Sequence, residues 1–280
     1  MYSSINNVSG AYHLKLVPEQ LAKTIFLVGD QNRVGEISKH FDSIEHRISN
    51  REFTTHTGFI GKHRISALST GIGTDNIDIT LNELDALINT DLETNQPLEK
   101  RTSLDLIRLG TSGTIRKEIE IDSLVVSSHG LGIDNLMHFY ANNQFDSDLQ
   151  TAINQQIKWP DSLSKPYIYS ADSQLLSKFS DLVKGITVTA PGFYAPQGRK
   201  VRLPVSIEDL HQQLRLFEYK SHKITNFEME TSALYGLGKL MGHRCLTICT
   251  ILANRATNKK STNYKKSIDN MIDTTLKRLF

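Results

Sequence analysis

What the chain lacks narrows its class first. Among its 280 residues no run of 18 apolar ones occurs, so no membrane span is expected. The opening stretch, Met1 to Ala11, is polar and has no apolar core of the kind a signal peptide needs. Only two cysteines are present, Cys245 and Cys249, in one apolar run without CxxC spacing. They read as buried thiols of a reducing, cytoplasmic protein, not as a disulfide or a metal site. Charge of one sign is also missing: 32 Lys+Arg against 30 Asp+Glu leave a net charge of +2. A general nucleic-acid coater carries a large basic surplus, so no nucleic-acid partner is expected. There is no internal repeat and no low-complexity segment. The 39% of hydrophobic residues supplies a core and excludes a wholly disordered chain.

What is present is an alternation of short apolar runs with helical patterns. Thr24–Val28, Arg64–Ser69, Leu104–Leu109, Ser123–Ser128, Ile186–Ala190 and Cys245–Leu252 are rich in Ile, Val, Leu or Thr and stop at turn-forming residues, as strands do. Ile77, Leu81, Leu84 and Ile88 fall on one face of a helix, with Asp75 placed to cap it. Further helices are predicted near Arg33–Phe41, Ile207–Phe217, Thr231–Met241 and Ser267–Leu279. Asp91–Arg101 is polar, contains a Pro and reads as a surface loop, while residues 131–166 carry little pattern. The alternation predicts one α/β domain over 1–280 with a largely buried sheet.

Ligands of such sheets sit beyond the carboxyl ends of the strands. There Val28 runs into Gly29, Asp30, Gln31, Asn32 and Arg33; Ser69 into Thr70, Gly71, Ile72 and Gly73; and the strand carrying Arg108 into Gly110, Thr111, Ser112 and Gly113. Glycines let backbone N–H groups approach an anion, Thr111 adds a hydroxyl, and an arginine fork matches two phosphate oxygens. The set suits one free phosphate. It does not suit ATP, because no GxxxxGK[ST] motif exists, and Gly71-Ile72-Gly73 lacks the third glycine of a dinucleotide site. Arg33 alone reads equally as a surface residue at a helix start. Arg108 interrupts an apolar strand and needs a partner. A second group, Gly192 to Arg199, offers the aromatic pair Phe193 and Tyr194, the donor and acceptor of Gln197 and the donors of Arg199, which suit the edge of a uracil-like ring. It also reads as a loop with the aromatics in the core. Glu228-Met229-Glu230 precedes a helix; its carboxylates would accept from vicinal sugar hydroxyls, or Glu230 would only favour the helix N-terminus. A lone His13 is by itself an ordinary surface residue.

In this order, these segments resemble the nucleoside phosphorylase superfamily and, within it, the uridine phosphorylase family. The resemblance rests on Gly29-Asp30-Gln31-Asn32-Arg33, Arg51-Glu52-Phe53-Thr54, Ser69 to Gly73, Arg108 to Gly113, Gly192 to Arg199, Asn226 to Thr231 and Ala253-Asn254-Arg255. It implies a three-layer α/β/α sandwich with a mixed, distorted and partly closed sheet. It implies a pentosyltransferase of pyrimidine salvage that reversibly converts uridine and phosphate into uracil and ribose 1-phosphate, with phosphate a co-substrate and no cofactor. A phosphorylase for another nucleoside, thymidine or a purine, and a hydrolytic nucleosidase remain the alternatives. The implied phosphate ligands are Gly29, Arg33, Arg108 and Thr111, with Arg51 from a neighbouring subunit; the implied base ligands are Phe193, Gln197 and Arg199. The ribose would meet Glu228, Met229 and Glu230, with the neighbour's His13. Arg199, Gln197, Arg108 and Glu230 are the residues implied to act in catalysis. Members assemble as dimers or as hexamers of dimers. Purine-cleaving relatives place a Ser-Asp pair where this chain has Ala253-Asn254-Arg255, which favours a pyrimidine. Two departures stand out. Gln31 replaces a usual Pro. Asn76 replaces a serine of a potassium site to which Glu52 and Ile72 conform, so no metal is predicted.

Overall fold

The computed structural model describes residues 5–6, 10–141 and 145–280. Its centre is a mixed 12-stranded sheet. In chain order the strands are β1 (Thr24–Val28), β2 (Ser43–Asn50), β3 (Phe53–Ile60), β4 (His63–Ser69), β5 (Asp105–Thr114), β6 (Leu124–Gly132), β7 (Tyr167–Ser170), β8 (Val183–Thr189), β9 (Glu218–Tyr219), β10 (His222–Glu228), β11 (Arg244–Asn254) and β12 (Lys259–Lys260). Across the sheet they run β9-β10-β8-β6-β11-β5-β1-β4-β3-β2, with β7 on β6 and β12 on β11. β1 is parallel to β4 and β5, and β5 is parallel to β11. β6 lies antiparallel to β11 but parallel to β8. The end of β10 returns to β5, pairing Asn226 with Thr114 and Phe227 with Gly113. One half of the sheet is thereby closed into a ring, and the other half stays open with β2 at its edge.

Among the described residues seven α-helices accompany the sheet: α1 (Gln31–Ser38), α2 (Thr74–Asn89), α3 (Ser147–Gln156), α4 (Ser173–Ser177), α5 (Leu210–Leu216), α6 (Thr231–Met241) and α7 (Tyr264–Leu279). The two-residue period of a strand sorts its side chains between layers. Ile25 and Leu27 of β1 join Leu81 and Leu84 of α2 and Leu234 and Leu237 of α6. Phe26 and Val28 join Val34 and Ile37 of α1 and Met271 and Ile272 of α7 on the opposite face. Helices thus cover both faces, as apolar two-faced strands require. A third cluster fills the closed end, where Leu131, Ile186, Val188 and Ile224 meet Leu149 of α3 and Leu214 of α5.

β1 and α6 form over the residues predicted for them. β5 does not stop at Leu109 but continues through the glycines to Thr114. Those glycines are ladder positions, not a turn. A Cβ on Gly110 would lie 3.1 Å from Cys249 Sγ, and β11 shifts register between Ile251 and Ala253 to stay paired. Asp75 lies inside the first turn of α2, and the cap is Gly73 at φ 102°, a conformation that favours glycine. β2, β3, β7, β9, β10 and β12 have no counterpart among the predicted strands; β2 reads SIEHRISN, an edge strand without an apolar run. Cys245 and Cys249 are buried free thiols. Among the described residues no helix is long and apolar enough to cross a membrane.

Candidate active site

A cleft of about 710 Å³ opens where β1, β4 and β5 end. Gly29, Arg33, Arg108 and Thr111 line one part of it, and Phe193, Gln197 and Arg199 another. Glu228, Met229 and Glu230 lie on its wall as well. Segments far apart in sequence, from Gly29 to Ala253, are therefore brought to one concavity.

The arginine end is built from α1 and β5. Asp30 caps α1 by accepting from Asn32 N–H at 2.9 Å, which fixes the first turn that carries Arg33. Arg33 Nη1 donates to Leu109 O at 3.2 Å, tying its head to β5. Arg108 is 5% exposed, and its Nη2 donates to Glu230. Its Nε lies 3.5 Å from Glu228 Oε2 without forming a hydrogen bond, and Nε and Nη1 are both buried without a partner. Burial alone would lower the pKa of Arg108; Glu230 and then Glu228 outweigh it and hold it above its ordinary value. Arg33 is held below its ordinary value by burial and then by Arg108. Two guanidinium groups thus share this end of the cleft, and Arg108 Nη1 is left there without a hydrogen-bond partner.

The two carboxylates meet different partners. The helix N-terminus belongs to Glu228, not Glu230. Glu228 accepts from Thr231 N–H at 3.0 and 3.1 Å, from Glu230 N–H at 2.9 Å and from Thr189 Oγ1 at 2.7 Å. Glu230 instead accepts from Gly73 N–H at 2.9 Å and from Arg108, joining the α2 cap to β5. Burial, then repulsion from Glu230, pushes the Glu228 carboxyl up to about 7.

At the other end a short 3-10 turn, Ala195–Gln197, carries Gln197, with Arg199 two residues beyond. Arg199 lies over the Phe193 ring, 3.5 Å from its centroid, and donates to Phe193 O at 3.0 Å. Gln197 is buried, and its Oε1 accepts from Arg255 Nη2 at 2.5 Å. Arg255 packs over Phe227, 4.9 Å from the ring centroid. Burial and then Arg199 bring its pKa down to about 10. Arg255 and Phe227 fell within segments read as motifs but were given no role; Ser112, which accepts from Asn226 Nδ2 at 3.0 Å, was likewise unassigned. Asn254 serves the fold: Nδ2 donates to Arg116 O and Ile119 O, and Oδ1 accepts from Thr257 N–H.

Arg51 and His13 do not line the cleft of their own chain. Arg51 sits exposed at the tip of the β2–β3 hairpin with φ 53°, and its carbonyl accepts from Gln31 Nε2 at 2.5 Å. The preceding residue, Asn50, donates to His13 O at 2.7 Å, so the two residues share one patch of surface. His13 Nδ1 lies 2.6 Å from Glu83 Oε1, which orients the ring.

Arg33 and Arg108 at one end of a single cleft, Gln197 and Arg199 at the other and Glu228 and Glu230 on its wall stand on a half-closed α/β/α sheet. The chain belongs to the phosphorylase superfamily, whose family model matches residues 23–279. It is 30% identical over 253 residues to a uridine phosphorylase of Thermococcus kodakarensis, covering 89% of this chain and 79% of that one. It is 27% identical over 254 residues to a uridine phosphorylase of Haemophilus influenzae, covering 89% and 88%. A solved Trypanosoma brucei nucleoside phosphorylase, described as showing uridine phosphorylase activity, superposes with a TM-score of 0.86 at 25% identity and 97% coverage of both chains.

Proposed function

We propose that this chain catalyses the reversible phosphorolysis of uridine to uracil and ribose 1-phosphate. The observation that carries the reading is Arg108: a buried guanidinium in the cleft lining whose Nη1 has no hydrogen-bond partner, beside Arg33, Gly29 and Thr111. A buried donor left without an acceptor is costly, and a bound phosphate supplies the acceptors. Phosphate held there would attack C1′ of the ribose as the C1′–N1 bond breaks. Negative charge then grows on the leaving uracil, where Gln197 and Arg199 stand as fixed donors. Orientation and charge do the work, so no covalent enzyme intermediate, cofactor or metal takes part in this reading. Met229 and Glu230 would hold the ribose hydroxyls, with Glu228 fixing the segment from behind. Asn254 is occupied internally where a purine reaction would want an acid, which supports a pyrimidine.

The reading extends to a two-fold dimer in which each subunit lends Arg51 and His13 to its neighbour's cleft. Their shared place outside their own cleft supports this. Uridine cleavage followed by ultraviolet absorbance, with and without phosphate and after exhaustive chelation, tests the core of the reading. Cleavage must stop without phosphate and survive chelation; equal rates in phosphate-free buffer would refute phosphorolysis.

A further inference from the structure

His211 lies on α5, in a predicted helix but outside every motif segment, and its ring packs against the turn at Gln197 and Gly198. Its Nε2 bonds to Gln197 O and lies 2.7 Å from Arg255 Nη1, which itself donates to Gln197 O at 2.8 Å. The three groups form one tight triangle under the 3-10 turn. Gly198 ends that turn at φ 64°, and a Cβ there would come within 2.9 Å of His211 Nε2, so the turn is seated directly on the imidazole. The ring edge also meets Phe227, with centroids 5.5 Å apart. Leu210 and Leu214, both buried, root α5 in the closed end of the sheet. Burial and then Arg255 hold the imidazole below its ordinary pKa, so the ring is neutral near pH 7.

The geometry points to His211 as a positioning residue for the base. As the Nε2–H tautomer the ring donates to Gln197 O, a carbonyl that Arg255 Nη1 also donates to, and so fixes the turn that carries Gln197 and Arg199. Arg255 draws back Gln197 Oε1, and His211 holds the backbone of the same residue, so together they leave the Gln197 amide nitrogen as the group turned to a ligand. Gln197 would otherwise be free to rotate its amide or lift its turn, and Arg199, two residues on, would move with it. The role is one of presentation: His211 does not line the cleft and touches no reacting atom.

This inference rests on the phosphorolysis reading, and the experiment separates the two. Steady-state kinetics with uridine and phosphate varied independently would be measured for the wild type and for His211→Ala, His211→Asn and His211→Gln. Gln carries its amide about as far out as Nε2, whereas Asn stops near Nδ1. His211→Ala and His211→Asn should lower kcat/KM for uridine by about tenfold, the size of one lost hydrogen bond, with phosphate KM changed by no more than about twofold. His211→Gln should recover to within about threefold of the wild type. In a double-mutant cycle, His211→Ala should cost much less on an Arg255→Ala background, because both hold the same carbonyl. Unchanged uridine kinetics in His211→Ala, equal losses in the uridine and phosphate terms, or rescue by Asn as good as by Gln would each overturn the inference. If His211→Ala fails to fold, the Gln and Asn pair decides alone. A wild type that leaves uridine intact with phosphate present would overturn the phosphorolysis reading, and this inference with it.

Discussion

Replacing Arg108 by Ala tests at once whether the site binds phosphate through this guanidinium and how it stays folded. Arg108 is 5% exposed and is the cation between Glu228 and Glu230. Truncation leaves two buried carboxylates facing each other. Breaking a buried ion pair from one side costs about 3–5 kcal/mol, because the orphaned charge stays in a poor solvent. Part of that loss is avoidable, since Glu228 already has its pKa pushed up to about 7 and can take a proton. Without Arg108 it should hold that proton to higher pH. The destabilisation of Arg108→Ala should therefore be smaller at pH 6 than at pH 8. The phosphate term should fall separately, by about 2–5 kcal/mol for a lost buried charge-assisted contact, or a thirtyfold or greater fall in kcat/KM for phosphate. Urea unfolding at both pH values gives the first quantity, and initial rates with varied phosphate give the second. Adding Glu230→Gln to Arg108→Ala should recover stability but not phosphate use. A stable Arg108→Ala protein with wild-type phosphate kinetics would refute the argument that this guanidinium balances the carboxylates and binds the anion.

Three further outcomes are expected. Arg199→Ala should lower kcat/KM for uridine by about 100-fold while phosphate KM stays near wild type, since it removes a donor to charge that develops only on the base; kinetics with unimpaired turnover would place the base elsewhere. Glu228, with a folded pKa raised to about 7 from 4.5, contributes stability that is present at low pH and lost as pH rises through about 7. The stability of the wild type relative to Glu228→Gln should thus decline from pH 5 to pH 8 in urea unfolding, and a difference independent of pH would contradict the assignment. If Arg51 acts across a dimer, inactive Arg51→Ala and Arg108→Ala chains refolded together should return about a quarter of wild-type activity, because about half the dimers are mixed and each mixed dimer has one complete site. Demonstrably mixed dimers without activity would remove Arg51 from the partner's site.

The sequence by itself determined the strands that are apolar on both faces and the residues that leave their carboxyl ends. Thr24–Val28 shows as a strand because its side chains must be buried whichever layer they meet. Gly29, Arg33, Arg108 and Thr111 were legible because glycines and charges beside such a strand conflict with a core. Edge strands escaped, since β2 lacks an apolar run and is held by pairing with β3. The glycines after Arg108 were read as a turn because their preference is local, while the ladder with β11 that keeps them extended comes from residues more than 130 positions away. Only the tertiary structure decided how the two glutamates divide their work. Two carboxylates a residue apart look alike in a sequence; Glu228 faces the α6 N-terminus and Glu230 faces Arg108 and Gly73 because of where β5, β10 and α2 meet. His211 is the plainest case. A lone histidine in a polar helix carries no signal, and it gains a partner only when the closed end of the sheet brings α5 beneath the turn at Gln197. Local preference and burial can be read along the chain, but a contact between distant segments is fixed by packing.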